Sequence, residues 1–206
     1  MAVVSNGTTI IDAGALGSGV ATGKMTLIKT LTASSSANLS FVDGAASVVL
    51  DDTYDSYVFK FINIHPATDS ADIMMNFSVD SGSNYNVTKT SSQFRAYHDE
   101  ADSATSLAYE PSGDMAQGTG DLNILFNIGN GNDECGAGTL TIYNPSDTTF
   151  VKHFIATMQR YDGANYSVNQ FTAGYGNTQS AVDSIRFQMD SGNIDSGVIK
   201  LYGIGG

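Results

Sequence analysis

Residues 57–80, YVFKFINIHPATDSADIMMNFSVD, constrain this chain more than any other stretch. In the second half Ile73, Met75, Phe77 and Val79 alternate with Met74, Asn76 and Ser78, the period of two expected of a strand with one buried and one wetter face. In the first half Phe59 and Phe61 point one way while Val58, Ile62 and Ile64 point the other, which predicts a strand buried on both sides. His65-Pro66 then stops it, because proline has no N–H for a ladder and pushes the preceding residue out of the helical region. A chain built around two such strands is committed to a sheet.

Composition points the same way. Only 15% of residues are charged, and the only glutamates are Glu100, Glu110 and Glu134, so the Glu/Lys pairs that support long amphipathic helices are lacking. A length of 206 residues suits one full sandwich or barrel plus a short arm, not two independent cores. The net charge of −12, with nine basic residues scattered from Lys24 to Lys200, argues against a nucleic-acid backbone or an anionic membrane as partner. Cys135 is alone, so no intrachain disulfide is expected. No apolar run reaches transmembrane length and the first residues lack the basic-then-apolar order of a signal peptide, so synthesis as a soluble cytoplasmic chain is expected.

Residues 1–23 read as an N-terminal arm. Val3, Val4, Ile10 and Ile11 are its apolar contacts, and Gly7, Gly14, Gly17, Gly19 and Gly23 interrupt too often for a compact unit of its own. Such a segment buries its few apolar residues against something larger. Residues 24–206 form the folded domain. Strands are expected at 25–31, 38–42, 47–50, 57–64, 73–79, 85–88, 93–98, 122–128, 139–143, 149–161, 166–173, 184–189 and 197–202, with Phe150, Phe154 and Met158 as core residues of the long one, while the weakly patterned segment 99–120 reads as a long excursion with at most a short strand at 107–109. Asp43-Gly44, Asn144-Pro145 and the cluster at 129–133 supply turns between them. About eleven to thirteen short strands at roughly ten-residue spacing predict an all-β fold, an antiparallel two-sheet sandwich of jelly-roll type with an extended N-terminal arm.

Chemistry-bearing motifs are sparse. His65, His98 and His153 have no second ligand at a zinc spacing, and there is no P-loop, dinucleotide fingerprint or nucleophile elbow. Asp51, Asp52, Asp55, Asp69 and Asp72, and the group Asp99, Glu100 and Asp102, are loop acids of the kind that cap turns; a glycosidase pair or an oxygen-ligated Ca²⁺ is the sharper alternative. The expectation is therefore no catalysis, no cofactor and no metal. One loop suits recognition: Tyr161, Asn165 and Tyr166, with Tyr175 further on, mix aromatic faces with hydrogen-bonding groups.

Five segments together carry a resemblance: SSSANLSFVDG (34–44), YVFKFINIHPATD (57–69), SNYNVTKT (83–90), NPSDTTFVKHF (144–154) and SGNIDSGVIKLYGIG (191–205). They resemble a domain that recurs in virion structural proteins of marine tailed bacteriophages, attached to differing N-terminal parts, some of them tail-fibre-like. The resemblance spans about residues 24–205. It implies a non-enzymatic virion surface protein, a short tail-fibre, appendage or knob module for host-surface recognition, with capsid decoration as the alternative. It also implies that the arm binds other virion proteins, tail or major capsid subunits, and that the domain meets a host surface polysaccharide. The long repetitive shaft of many such fibres is missing here, which favours a knob, tip or head decoration. Met74, Val58, Ile62 and Ile64 suggest more apolar strand surface than one sandwich covers, and hence a homotrimer.

Overall fold

The computed structural model describes all residues except Met1, Asn6, Ala13, Gly14, residues 17–24 and Gly206. The described residues contain strands and turns and no helix. Sixteen strands fall into three sheets, every pairing antiparallel. Near the N-terminus β1 (Val3–Ser5), β2 (Thr8–Asp12) and β3 (Ala15–Leu16) make a small sheet of their own. The smaller layer of the sandwich takes β5 (Leu39–Val42), β7 (Ala71–Ser78), β11 (Leu122–Ile128) and β15 (Ser184–Met189), in the order β11-β7-β15-β5.

The larger layer takes β4 (Thr26–Ser36), β6 (Ser56–Pro66), β8 (Lys89–Asp99), β9 (Thr105–Tyr109), β10 (Met115–Gly118), β12 (Gly136–Tyr143), β13 (Lys152–Tyr161), β14 (Tyr166–Gly176) and β16 (Ile194–Ile204). Its order is β10-β8-β14-β13-β12-β6-β16-β4, with β9 also beside β8. The chain alternates between layers from β4 to β8, returns to the smaller layer for β11 and for β15, and ends in the larger one. Four strands are too few to cover nine. The outlying β13, β14 and β8 therefore reach past the smaller layer, which meets them through β11 and through Phe77 and Asn76 of β7.

One apolar core fills the space between the layers. Phe187 of β15 lies at its centre, with ring centroids 5.0 Å from Phe61, 5.3 Å from Phe59 and 6.3 Å from Phe41, all in edge-to-face geometry. That arrangement sets the positive ring edge on the negative face, and the rings also bury large areas. Phe77 and Phe154 repeat it at 5.7 Å. Phe154 and Met158 are buried, as the alternation of β13 predicts. Phe150 is not. It is 70% exposed, because residues 149–151 lie outside the strand in the connection held by Asp147, whose carboxylate accepts the N–H groups of Thr149 and Phe150.

Other expectations are corrected by backbone irregularity. Ile64 shares the inner face with Phe61, because β6 carries an extra residue where it pairs β12: Gly138 opposes Phe61 while Gly136 opposes Ile64. Asn63 takes the left-handed conformation there (φ 51°), one that asparagine tolerates better than branched residues. Across the pair with β16, Gly197 (φ 121°) matches the irregularity, and a Cβ at that position would lie 2.6 Å from the Asn63 carbonyl oxygen. Ile64 and Val58 are therefore covered within a single chain, and only Ile62 of that set is exposed, which removes most of the surplus expected from these residues.

Residues 47–50 and 85–88 are not strands. Val48, Leu50 and Val87 are buried as coil that closes the sandwich ends, with the Leu50 N–H bonded to the Asp43 carboxylate at 2.8 Å. The excursion at 99–120 holds two strands, β9 and β10, which share one edge of β8. In the N-terminal segment Val3 opposes Ile11 and Val4 opposes Thr9, so β1 and β2 pair with each other. That sheet has no ladder to either main layer among the described residues. Val3, Val4 and Ile11 remain exposed and Ile10 is half-buried. The expected boundary at residues 23 and 24 lies outside the described residues.

Candidate functional site

The sequence-predicted loop residues separate into two places. Tyr161, Asn165 and Tyr166 sit at the β13–β14 turn, where the Tyr161 hydroxyl donates to Asn165 Oδ1 at 2.7 Å. Asp162 caps the turn by accepting the N–H groups of Ala164 and Tyr166, both at 3.2 Å, and Asn165 supplies the left-handed residue (φ 61°). Tyr175 is at the far end of the same hairpin, opposite His153. Eight residues of β14 separate Tyr175 from Tyr166, roughly 27–30 Å of strand. The four residues do not form one site.

Tyr175 belongs to a larger feature on the outer face of the larger sheet. Strict alternation in β12, β13, β14 and β8 turns Tyr143, Thr141 and Thr139, then His153, Ile155 and Thr157, then Tyr175, Ala173 and Phe171, then Thr90, Ser92 and Phe94 outward in matching register. At every outward position of these four strands there is no Asp, Glu, Lys or Arg, in a chain with 21 acidic and nine basic residues. The exclusion of charge from one continuous region sets this face apart as the candidate contact surface.

At the Tyr175 end this face deepens into two adjoining clefts of about 730 and 500 Å³ that share Tyr143 and His153. Three rings line the junction: Tyr143, which is 43% exposed, and the His153–Tyr175 pair, with centroids 6.2 Å apart. Asn144, Asn177, Gln179, Thr149 and Thr178 add neutral donors and acceptors. The only carboxylate in the lining is Asp147, and the N–H groups of Phe150 and Thr149 hold it below the usual carboxylate range. Aromatic platforms ringed by neutral amides and hydroxyls are the means of holding an uncharged, hydroxyl-rich ligand without a deep pocket.

Of the acids singled out in the sequence, Asp51, Asp69, Asp72 and Asp99 accept backbone N–H groups. Asp99 accepts the N–H groups of Ser103 and Ala104, and these bonds with the Ser103 hydroxyl lower its pKa. Asp51 accepts Thr53 N–H, and Asp72, raised by burial, accepts Asn127 N–H and the Asn123 amide. His65 approaches the Gly131 carbonyl at 3.1 Å, and His98 bonds Asp102 at 3.2 Å. Burial raises the Cys135 thiol. Among the described residues no group of three or more His, Cys, Asp or Glu side chains is arranged to hold a metal ion.

Comparison with protein-family models, with curated proteins and with solved structures gives no match to this chain. Nothing local in the sequence joins Tyr143 and His153 to Tyr175 as one site. The usable signal is the lack of charge at alternate positions within 137–143, 153–161 and 167–175, visible only once the strand register is known.

Proposed function

We propose that this chain is a non-enzymatic bacteriophage virion surface protein, a short appendage or knob module that meets host-surface polysaccharide through the cleft at Tyr143, His153 and Tyr175. The observation that carries this reading is the strand order. The sequence β4-β16-β6-β12 in one layer and β5-β15-β7-β11 in the other supports a jelly roll made of two Greek keys, a fold used by viral capsid and lectin domains. On this reading the strands β8–β10 and β13–β14 are insertions that widen one layer and create the uncharged face. The resemblance of the five segments to marine phage virion domains supports the same assignment.

The small N-terminal sheet, with Val3, Val4 and Ile11 exposed, is the proposed attachment to other virion proteins. A homotrimer would cover the exposed stripe of Leu107, Tyr109 and Phe94, where Phe94 stacks on Phe171 at 4.7 Å. Labelling the protein on intact particles tests the location: a few copies at the tail are expected, and many copies spread over the head would favour capsid decoration instead.

Adsorption of the purified protein to host envelope glycan tests the cleft. Tyr175→Ala and Tyr143→Ala should each weaken binding about tenfold by removing a stacking face, with the melting temperature nearly unchanged because both are surface positions. Undiminished binding by both variants would refute the cleft as the recognition surface.

A further inference from the structure

The inner side of the overhanging wing holds a second cavity, of about 240 Å³, at the opposite end of the β13–β14 hairpin from the cleft. Its floor is one rung of the larger sheet, in which Tyr97, Val168 and Arg160 are register partners. Arg95 and Tyr166 complete the sheet side, Asp162 and Ala164 of the β13–β14 turn also line it, with the Asp162 carboxylate turned to Arg160, and Asn127 of β11 contributes from the smaller layer. The chain has three arginines, Arg95, Arg160 and Arg186, and two of them line this cavity.

Arg160 is only 2% exposed. Its Nη2 donates to Asp162 Oδ2 at 3.2 Å, while Nε and Nη1 are buried without a hydrogen-bond partner. Arg95 is held at the rim by Glu110 at 3.0 Å. A guanidinium confined to a low-dielectric wall with donors unused is poised for an oxygen acceptor, and a planar carboxylate is the group it matches best. Around it, the Tyr97 and Tyr166 rings, 5.2 Å apart and edge-to-face, offer apolar walls, and the Asn127 amide offers a neutral polar contact. The volume suits one pyranose ring.

We propose that this cavity binds the carboxylate-bearing ring of an acidic saccharide, with Arg160 as the anion ligand and Tyr97 and Tyr166 as the walls. The site is distinct from the uncharged cleft and does not depend on the virion assignment. Arg160 forms part of the cavity wall beside β11, the last strand of the smaller sheet.

Nuclear magnetic resonance titration of the full chain with galacturonate, galactose and sodium sulfate at low ionic strength tests this. Galacturonate should shift the amide signals of residues 160–166 saturably, galactose should bind at least about tenfold more weakly, and added salt should weaken the galacturonate complex. Arg160→Lys should reduce the galacturonate affinity about tenfold, since an ammonium lacks the planar fork. Arg95→Gln and Tyr97→Ala, at partly exposed positions, provide the same readout should Arg160→Lys fail to fold. The proposal is overturned by no saturable shift with galacturonate, by sulfate binding as tightly as galacturonate, or by folded variants that bind as the parent does.

Discussion

Replacing Phe187 by alanine should cost about 3–5 kcal/mol and lower the melting temperature by roughly 10 °C or more. Phe187 is fully buried, and its ring touches the edges or faces of Phe41, Phe59 and Phe61, which come from strands of both layers. The truncation therefore removes the transfer energy of one ring, three edge-to-face contacts and the support of both sheets at their common centre. Close-packed surroundings relax only in part, so a cavity remains. Phe150→Ala is the matched control: the same atoms are lost from a 70% exposed position, and a change within about 0.5 kcal/mol is expected. Urea unfolding of the two variants provides the measurement. Similar losses at both positions would mean that Phe187 is not the keystone of the core.

The alternation that makes Phe187 inward is visible in the sequence, as it is for Phe59, Phe61, Phe77, Phe154 and Met158, all of them buried. Period-two patterning reports which side a residue faces for as long as the strand is regular, and it fails at the first inserted residue. That is why Ile64 was expected on the outer face: the left-handed turn at Asn63 reverses the alternation after Ile62, and an asparagine in a strand does not announce a bulge. Burial without strand geometry is hidden for a related reason. Val48, Leu50 and Val87 have the residue types of strand interiors, yet their partners are loop groups such as Asp43.

Long-range pairing was the other hidden quantity. The outward row Ser92, Ala173, Ile155 and Thr141 draws on four strands whose adjacency depends on β8 pairing β14, far apart in the chain. Tyr161, Asn165 and Tyr166 share a single turn, whereas Tyr175 lies at the other end of the hairpin; sequence proximity along a hairpin arm says nothing about which end of the sheet a residue reaches. The same blindness concealed Arg160 and Lys89, charged residues that read as surface and are buried.

Lys89 leads to the second large effect, an unusual dependence of stability on pH. Its side chain is buried, with Nζ donating to Asn76 Oδ1 at 2.5 Å and to the Val87 carbonyl at 2.7 Å. Burial drives its pKa down to about 8, against a smaller opposing pull from Asp121. The unfolded chain keeps the ordinary lysine value of about 10.4, so between roughly pH 8 and 10 the unfolded state holds a proton that the folded state has released. Stability must rise with pH across that window, by an amount on the order of 2–3 kcal/mol. Above about pH 10 the trend turns, because burial and the nearby Asp51 carboxylate push the Tyr57 phenol up, and the folded state then retains a proton that the unfolded state loses. The buried thiol of Cys135 opposes the rise in the same sense, and Lys152, lowered by burial, adds to it. The difference between the parent and Lys89→Met isolates the Lys89 share. Methionine has similar length and no charge to desolvate, so the variant should be more stable near pH 7, less the cost of leaving Asn76 Oδ1 and the Val87 carbonyl without their donor. Urea unfolding at intervals from pH 7 to 10 should show the parent gaining on the variant from about pH 8 upward. Parallel curves would mean that Lys89 ionises in the fold as it does in water.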